Sequence, residues 1–153
     1  MKINMLLRTH IAFSAFLALY FLPFVNSKMA FLVMVIIGTL IPDIDLMHSY
    51  VGKRWYFRPI QWFVKHRGVI HSLTFAVVVS IIIAIYFPVL AFGFFLGYAS
   101  HLIGDAITIE GIRPFWPLKS ESLGRMRVGG IGEKTLFYLL VLIDILMIVR
   151  WFI

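Results

Sequence analysis

A chain of 153 residues that is 61% hydrophobic and only 14% charged departs far from a water-soluble domain, where about 45–50% of residues are apolar. With a mean hydropathy of +0.96, it reads as an integral membrane protein, and its length suits a single domain over residues 1–153. The absence of cysteine excludes disulfides and thiolate ligands, so any metal must be held by His, Asp, Glu or backbone oxygen.

Five apolar segments follow one another. The first runs from about Met5 to Phe24 and shows no small-residue cleavage site of a signal peptide. The second, Met29 to Ile41, is stopped by Pro42, and "PFVNSK" joins it to the first as a helical hairpin. The third runs from about Ile70 to Phe87, the fourth from Pro88 to Ile107 and the fifth from Thr135 to Ile153. The fold expected is therefore all-α: a membrane bundle of about five transmembrane or membrane-embedded helices. The second segment is short of the roughly 20 apolar residues that a full span needs.

Two long polar connections remain. The first carries Lys53, Arg54, Arg58, Lys65 and Arg67; the second carries Arg113, Lys119, Arg125, Arg127 and Lys134. The other loops hold only Lys28. The positive-inside rule then puts the N-terminus and both long connections in the cytoplasm and the C-terminus outside. "RWYFRPIQWFVK" alternates aromatic and basic residues and is expected to lie as an amphipathic segment in the interface, with Trp55 and Trp62 among headgroups. "GRMRVGGIGEK" is Gly-rich and reads as mobile. The net charge of +7 fits anionic lipid headgroups better than nucleic acid, because no aromatic-interleaved basic domain is present.

Placed on this topology, His10, Asp43, Asp45, His66, His71, His101 and Asp105 converge on one membrane face from four parts of the chain. In "IPDID", an extended turn after Pro42 would point Asp43 and Asp45 to the same side. Two carboxylates so close repel unless a cation or a shared proton lies between them. In "HRGVIHS", Gly68 is expected to leave His66 in the loop and His71 in the first helical turn. In "SHLIGD", His101 and Asp105 stand at i and i+4 and face the same way; such a pair can chelate one metal, or the Asp can orient the His. Each feature alone has a plain reading as a boundary histidine, a helix-end turn or a hydrogen-bonded pair. Their convergence is the argument, because ionisable groups within a membrane are costly and mark function. His48, Glu110 and Arg113 are weaker candidates, Glu110 as a general base or outer ligand. Asp144 lies deep in the fifth segment, far from this face.

The ordered set "RTHIAF", "GTLIPDID", "HRGVIHS" and "LGYASHLIGDAITIEGIRPFWPL" resembles the LexA-binding, inner-membrane-associated family of metal-dependent hydrolases, the YdjM-like family. The resemblance covers the chain from about residue 8 to 118. It matches at His10, Pro42, Asp43, Asp45, His66, Arg67, Gly68, His71, Ser72, His101, Asp105, Gly111 and Pro117. Ile70 stands where the family often has Thr, and "TIEG" replaces a Thr-Pro before the last Gly. The resemblance implies an inner-membrane location, a protein partner and a distant similarity to zinc-dependent phospholipases C, which cleave phosphoesters.

The function expected is a metal-dependent hydrolase acting on a phosphoester of a lipid or lipid-linked substrate at the cytoplasmic surface. One or two divalent ions, zinc by donor chemistry, would polarise a phosphoryl oxygen and acidify water. Asp43 or Asp45 would accept a proton, and Arg67 would grip the phosphate. The rival reading is a non-enzymatic membrane protein that docks a partner or anionic lipid around a structural metal. A transporter is a third class, but it would place ionisable residues through the bilayer depth rather than on one face.

Overall fold

The computed structural model describes residues 6–45, 55 and 68–151. Among the described residues five α-helices form: α1 (Leu7–Phe21), α2 (Lys28–Leu40), α3 (Leu73–Tyr86), α4 (Pro88–Ala106) and α5 (Ile131–Arg150). No strand forms among the described residues; two isolated bridges, Thr108 with Met126 and Ile112 with Ser122, tie down the connection before α5.

Prolines set most of the boundaries. Pro23 turns the end of α1 into a 3-10 extension over Leu22–Phe24. Pro42 has no N–H to continue α2, and a 3-10 turn over Pro42–Asp45 follows. The residue before a proline avoids the helical region, and Phe87, at φ −142° and ψ 68°, separates α3 from α4. Ser72 caps α3, its Oγ accepting from the Phe75 N–H at 3.1 Å. The Pro114 carbonyl accepts from Leu73 and Thr74 N–H at the same helix end.

The expected segments are all helical, with two shifts. Helix α3 begins three residues later than its apolar run, because the cap is Ser72. Helix α5 begins before its apolar run, because Gly130 and the buried Glu133 belong to its start. Leu7–Phe24 and Pro88–Ala106 are long and apolar enough to cross a membrane, and Leu73–Tyr86 is apolar but shorter. The interfacial segment lies outside the described residues apart from Trp55, which is exposed.

Helix α4 is central and packs against α1, α2 and α3, while α5 packs on α1. The α2–α4 contact is made by small residues. A Cβ on Gly97 would fall 2.0 Å from the Val35 carbonyl, and one on Gly38 would fall 2.3 Å from the Phe94 carbonyl. Backbones this close need the missing side chains, as in glycine-spaced membrane helix pairs. Phe94, Tyr98, Leu102, Ala76 and Ile112 fill one core cluster; Ala18, Leu22, Phe31 and Val35 fill another. The outer faces stay apolar. Helix α3 buries only Ala76 and Ser80 and exposes Val78, Ile81, Ile82 and Ile85.

Candidate metal centre

Five side chains meet at one end of the bundle. His10 comes from the first turns of α1, Asp43 from the 3-10 turn after α2, His71 from the turn before α3, and His101 with Asp105 from the last turns of α4. All five are buried. Donor atoms of His10, His101 and Asp105 lie within 4.8 Å of one another, and so do those of Asp43, His71 and His101.

The distances have a pattern. Asp105 Oδ1 is 3.4 Å from His10 Nε2, while Asp105 Oδ2 is 3.5 Å from His71 Nε2 and 3.6 Å from His101 Nε2. Asp43 Oδ1 is 3.8 Å from His101 Nε2. These spacings are long for hydrogen bonds, yet they suit donors around a common ion. Ligands about 2.1 Å from a tetrahedral zinc stand about 3.4 Å apart. The His10 and His101 rings stack in parallel with centroids 4.0 Å apart, and His71 meets His101 edge-on.

Both nitrogens of His10, Nε2 of His101 and both oxygens of Asp105 are buried with no hydrogen-bond partner among the described residues. Leaving one such group unsatisfied costs about 1–3 kcal/mol, and four of these atoms, His10 Nε2, His101 Nε2 and the two Asp105 oxygens, face one another. His101 shows which of its nitrogens is available. Its Nδ1–H donates to the Thr39 carbonyl at 2.8 Å, which leaves the Nε2 lone pair aimed at the two carboxylates. A backbone partner on the far nitrogen is the usual support of a metal-bound imidazole. Imidazole nitrogens beside the oxygens of two carboxylates are the donor types that a divalent cation takes. The donor set therefore fits a divalent metal.

Each donor has a local anchor. Tyr98 Oη donates to the Ile70 carbonyl at 2.6 Å and holds the segment carrying His71 against α4. His71 thus lies just before the cap of α3 rather than in its first turn. Thr108 Oγ1 donates to the Asp105 carbonyl at 2.7 Å. Below the donors, the hydroxyls of Ser14, Thr39 and Ser100 form a buried layer, with Ser14 to Ser100 at 2.6 Å and Thr39 to Ser14 at 2.8 Å.

One expected backbone geometry is corrected. Asp43 and Asp45 do not follow an extended chain. Pro42 has a φ compatible with helix, and Ile44 N–H bonds back to the Ile41 carbonyl at 3.0 Å, so the stretch is a 3-10 turn. Asp43 joins the cluster; the side chains of Asp45, His48, His66 and Arg67 lie outside the described set. Glu110, in the turn after α4, is not among the grouped donors. Arg113 is exposed and pairs with Glu121. Asp144 is buried on α5, its Oδ1 without a hydrogen-bond partner among the described residues.

Glu133 is a residue that the sequence reading passed over. It is 1% exposed and accepts from the Leu6 N–H at 2.7 Å, the Thr9 hydroxyl at 3.0 Å and the Gly129 N–H. It fastens the first turn of α1, where His10 follows Thr9. An acid in the first turn of α5 was the available signal, but its partners on α1 and just before it lie more than 120 residues away in sequence. The same contacts hold the Gly-rich stretch before α5, expected to be mobile, against the start of α1.

Comparison with known proteins places these residues in a family. The chain is 36% identical over 93 residues to Inner membrane protein YdjM of Escherichia coli (strain K12), covering 55% of this chain and 47% of that protein. The same figures hold for Inner membrane protein YdjM of Shigella flexneri. It is 35% identical over 85 residues to Uncharacterized protein YvsG of Bacillus subtilis (strain 168), covering 53% of each. The chain thus spans about half the length of the curated relatives it matches. No solved structure matches significantly. The family described as YdjM inner membrane protein matches residues 5–152, nearly the whole chain, and the protein with its buried histidine and aspartate cluster belongs to that family.

Proposed function

We propose that this protein is a multi-pass metal-dependent hydrolase of the inner membrane, cleaving a phosphoester of a lipid or lipid-linked substrate at the cytoplasmic face. The observation that carries the reading is the buried convergence of His10, Asp43, His71, His101 and Asp105, with donor atoms spaced as around an ion. Zinc suits imidazole with carboxylate. Asp105 turns one oxygen to His10 and the other to His71 and His101, so it can serve one ion or bridge two. When bound, the ion supplies Lewis acidity toward a phosphoryl oxygen and toward water.

The chain's own groups do the rest. Thr39 fixes the His101 tautomer, and Glu133 holds the helix turn that carries His10. Asp43, beside His101, is placed to accept a proton, with Asp45 as a second candidate. Arg67, four residues before His71, is the candidate for gripping the phosphate. Its basic segment puts the cluster on the cytoplasmic side by the positive-inside rule, with the N-terminus inside and the C-terminus outside. The position of the cluster at one end of an apolar bundle supports a lipid substrate.

Complete burial of His10, His71, His101 and Asp105, each at 0% exposure, favours a second reading. A structural metal in a closed site would then brace a protein that docks a partner or anionic lipid. Elemental analysis of the detergent-purified protein, beside a double variant His71→Ala with His101→Ala, tests the metal. One or two equivalents of zinc, lost in the variant, support the centre; none in either sample after incubation with zinc removes both readings. A zinc-loaded protein that releases no phosphate or headgroup from any phospholipid class leaves only the structural one.

A further inference from the structure

Lys28 and Arg150 lie at the end of the bundle opposite the histidines. Tyr20 is ten residues along α1 from His10, about 15 Å at 1.5 Å per residue. At this end an open groove runs between the last turns of α1 and α5, lined by Leu19, Tyr20, Pro23, Phe24, Met147 and Trp151, with Arg150 at its edge. Its volume, about 510 Å³, falls within the ~300–1,000 Å³ of small-molecule sites. Lys28, from the start of α2, places its ammonium 5.3 Å from the centre of the Trp151 ring. Three helices therefore bring two cations and an apolar channel together.

The sequence has no Asp or Glu side chain between residues 11 and 42, nor from 145 to 153. Among the described residues neither Lys28 nor Arg150 makes an ion pair. Tyr20, Phe24 and Trp151 are 55%, 76% and 47% exposed, so the channel wall stands open to the surrounding medium, which for this family is the inner membrane. A ligand complementary to this place has an anionic head and an apolar tail.

We propose that the α1–α5 groove binds one anionic phospholipid, its phosphate between Lys28 and Arg150 and an acyl chain along Leu19, Pro23, Phe24 and Met147. The site is distinct from the metal centre and does not depend on it. It requires only that the chain reside in a membrane, in either orientation. Trp151 serves as the floor on which the Lys28 ammonium rests, so the cation is pre-placed before the lipid arrives.

The test is lipid titration followed by native mass spectrometry on the full chain in mild detergent, with phosphatidylglycerol and phosphatidylethanolamine as the two probes. The expected result is one phosphatidylglycerol bound in preference to phosphatidylethanolamine, weakened about tenfold in Lys28→Gln with Arg150→Gln. The control pair Arg125→Gln with Arg127→Gln, on the loop before α5, keeps the wild-type affinity. Met147→Trp, which fills the channel and keeps both cations, also weakens binding. Circular dichroism confirms that each variant retains its helix. Equal binding of the two lipids by the wild type, unchanged binding in the Lys28/Arg150 pair, or unchanged binding in Met147→Trp overturns the proposal.

Discussion

Asp105 is the hinge of the donor cluster, since each of its oxygens faces a different histidine. Asp105→Asn keeps the shape and removes the charge, and elemental analysis is expected to find its metal content well below that of the wild type. Glu133 is predicted to act on the same centre from a distance. Glu133→Gln loses the charge that three donors share, at a cost of about 1–3 kcal/mol. Loading with cobalt separates positioning from simple stability: the visible spectrum of the Glu133→Gln protein should shift toward that of His10→Ala, whereas a purely structural role leaves the wild-type bands in place at lower yield. At this scale the grouping of five side chains was legible in the sequence. His101 with Asp105 follows from helical spacing, and His10, Asp43 and His71 from their place at one end of apolar runs. Asp43 with Asp45 misled because proline was read as starting an extended turn. Glu133 and Thr9 were hidden because nothing in local periodicity joins residues 124 apart.

Among the elements, the close pairing of α2 and α4 decides whether the centre can form. Gly97 lies one turn before His101, and Gly38 stands next to Thr39, whose carbonyl accepts from the His101 Nδ1–H. Gly97→Ala puts a methyl group where the Val35 carbonyl lies, so α2 must move away. The expected cost is about 1–3 kcal/mol of overpacking, read by thermal unfolding in detergent, together with weakened zinc binding. Ser72→Ala makes a useful contrast. It removes the cap of α3 for about 1 kcal/mol, but α2 and α4 stay in register and zinc affinity should fall less. The five helices were legible from hydropathy and proline placement. The α2–α4 contact was not read, although "GFFLG" carries its signal. Hydropathy treats glycine as merely neutral, and only packing reveals what a missing Cβ permits.

For the whole molecule, stability should depend on the ion. A metal that binds the folded chain at a concentration 100 times its Kd adds about 2.7 kcal/mol. Chelation is therefore expected to lower the melting temperature of the wild type, and to leave that of the His71→Ala, His101→Ala variant unchanged. Charge asymmetry between loops gave an orientation that reporter fusions at each end can check, with the N-terminus expected inside and the C-terminus outside. The Glu133 contacts bear on the order of assembly. Leu6 and Thr9, near the beginning of α1, are clasped by a residue of the last helix, 127 and 124 positions later. During synthesis α1 is made long before its clasp exists. All five grouped residues precede residue 133 in the chain, so every one of them is synthesised before the contact that fastens the first turn of α1 can form.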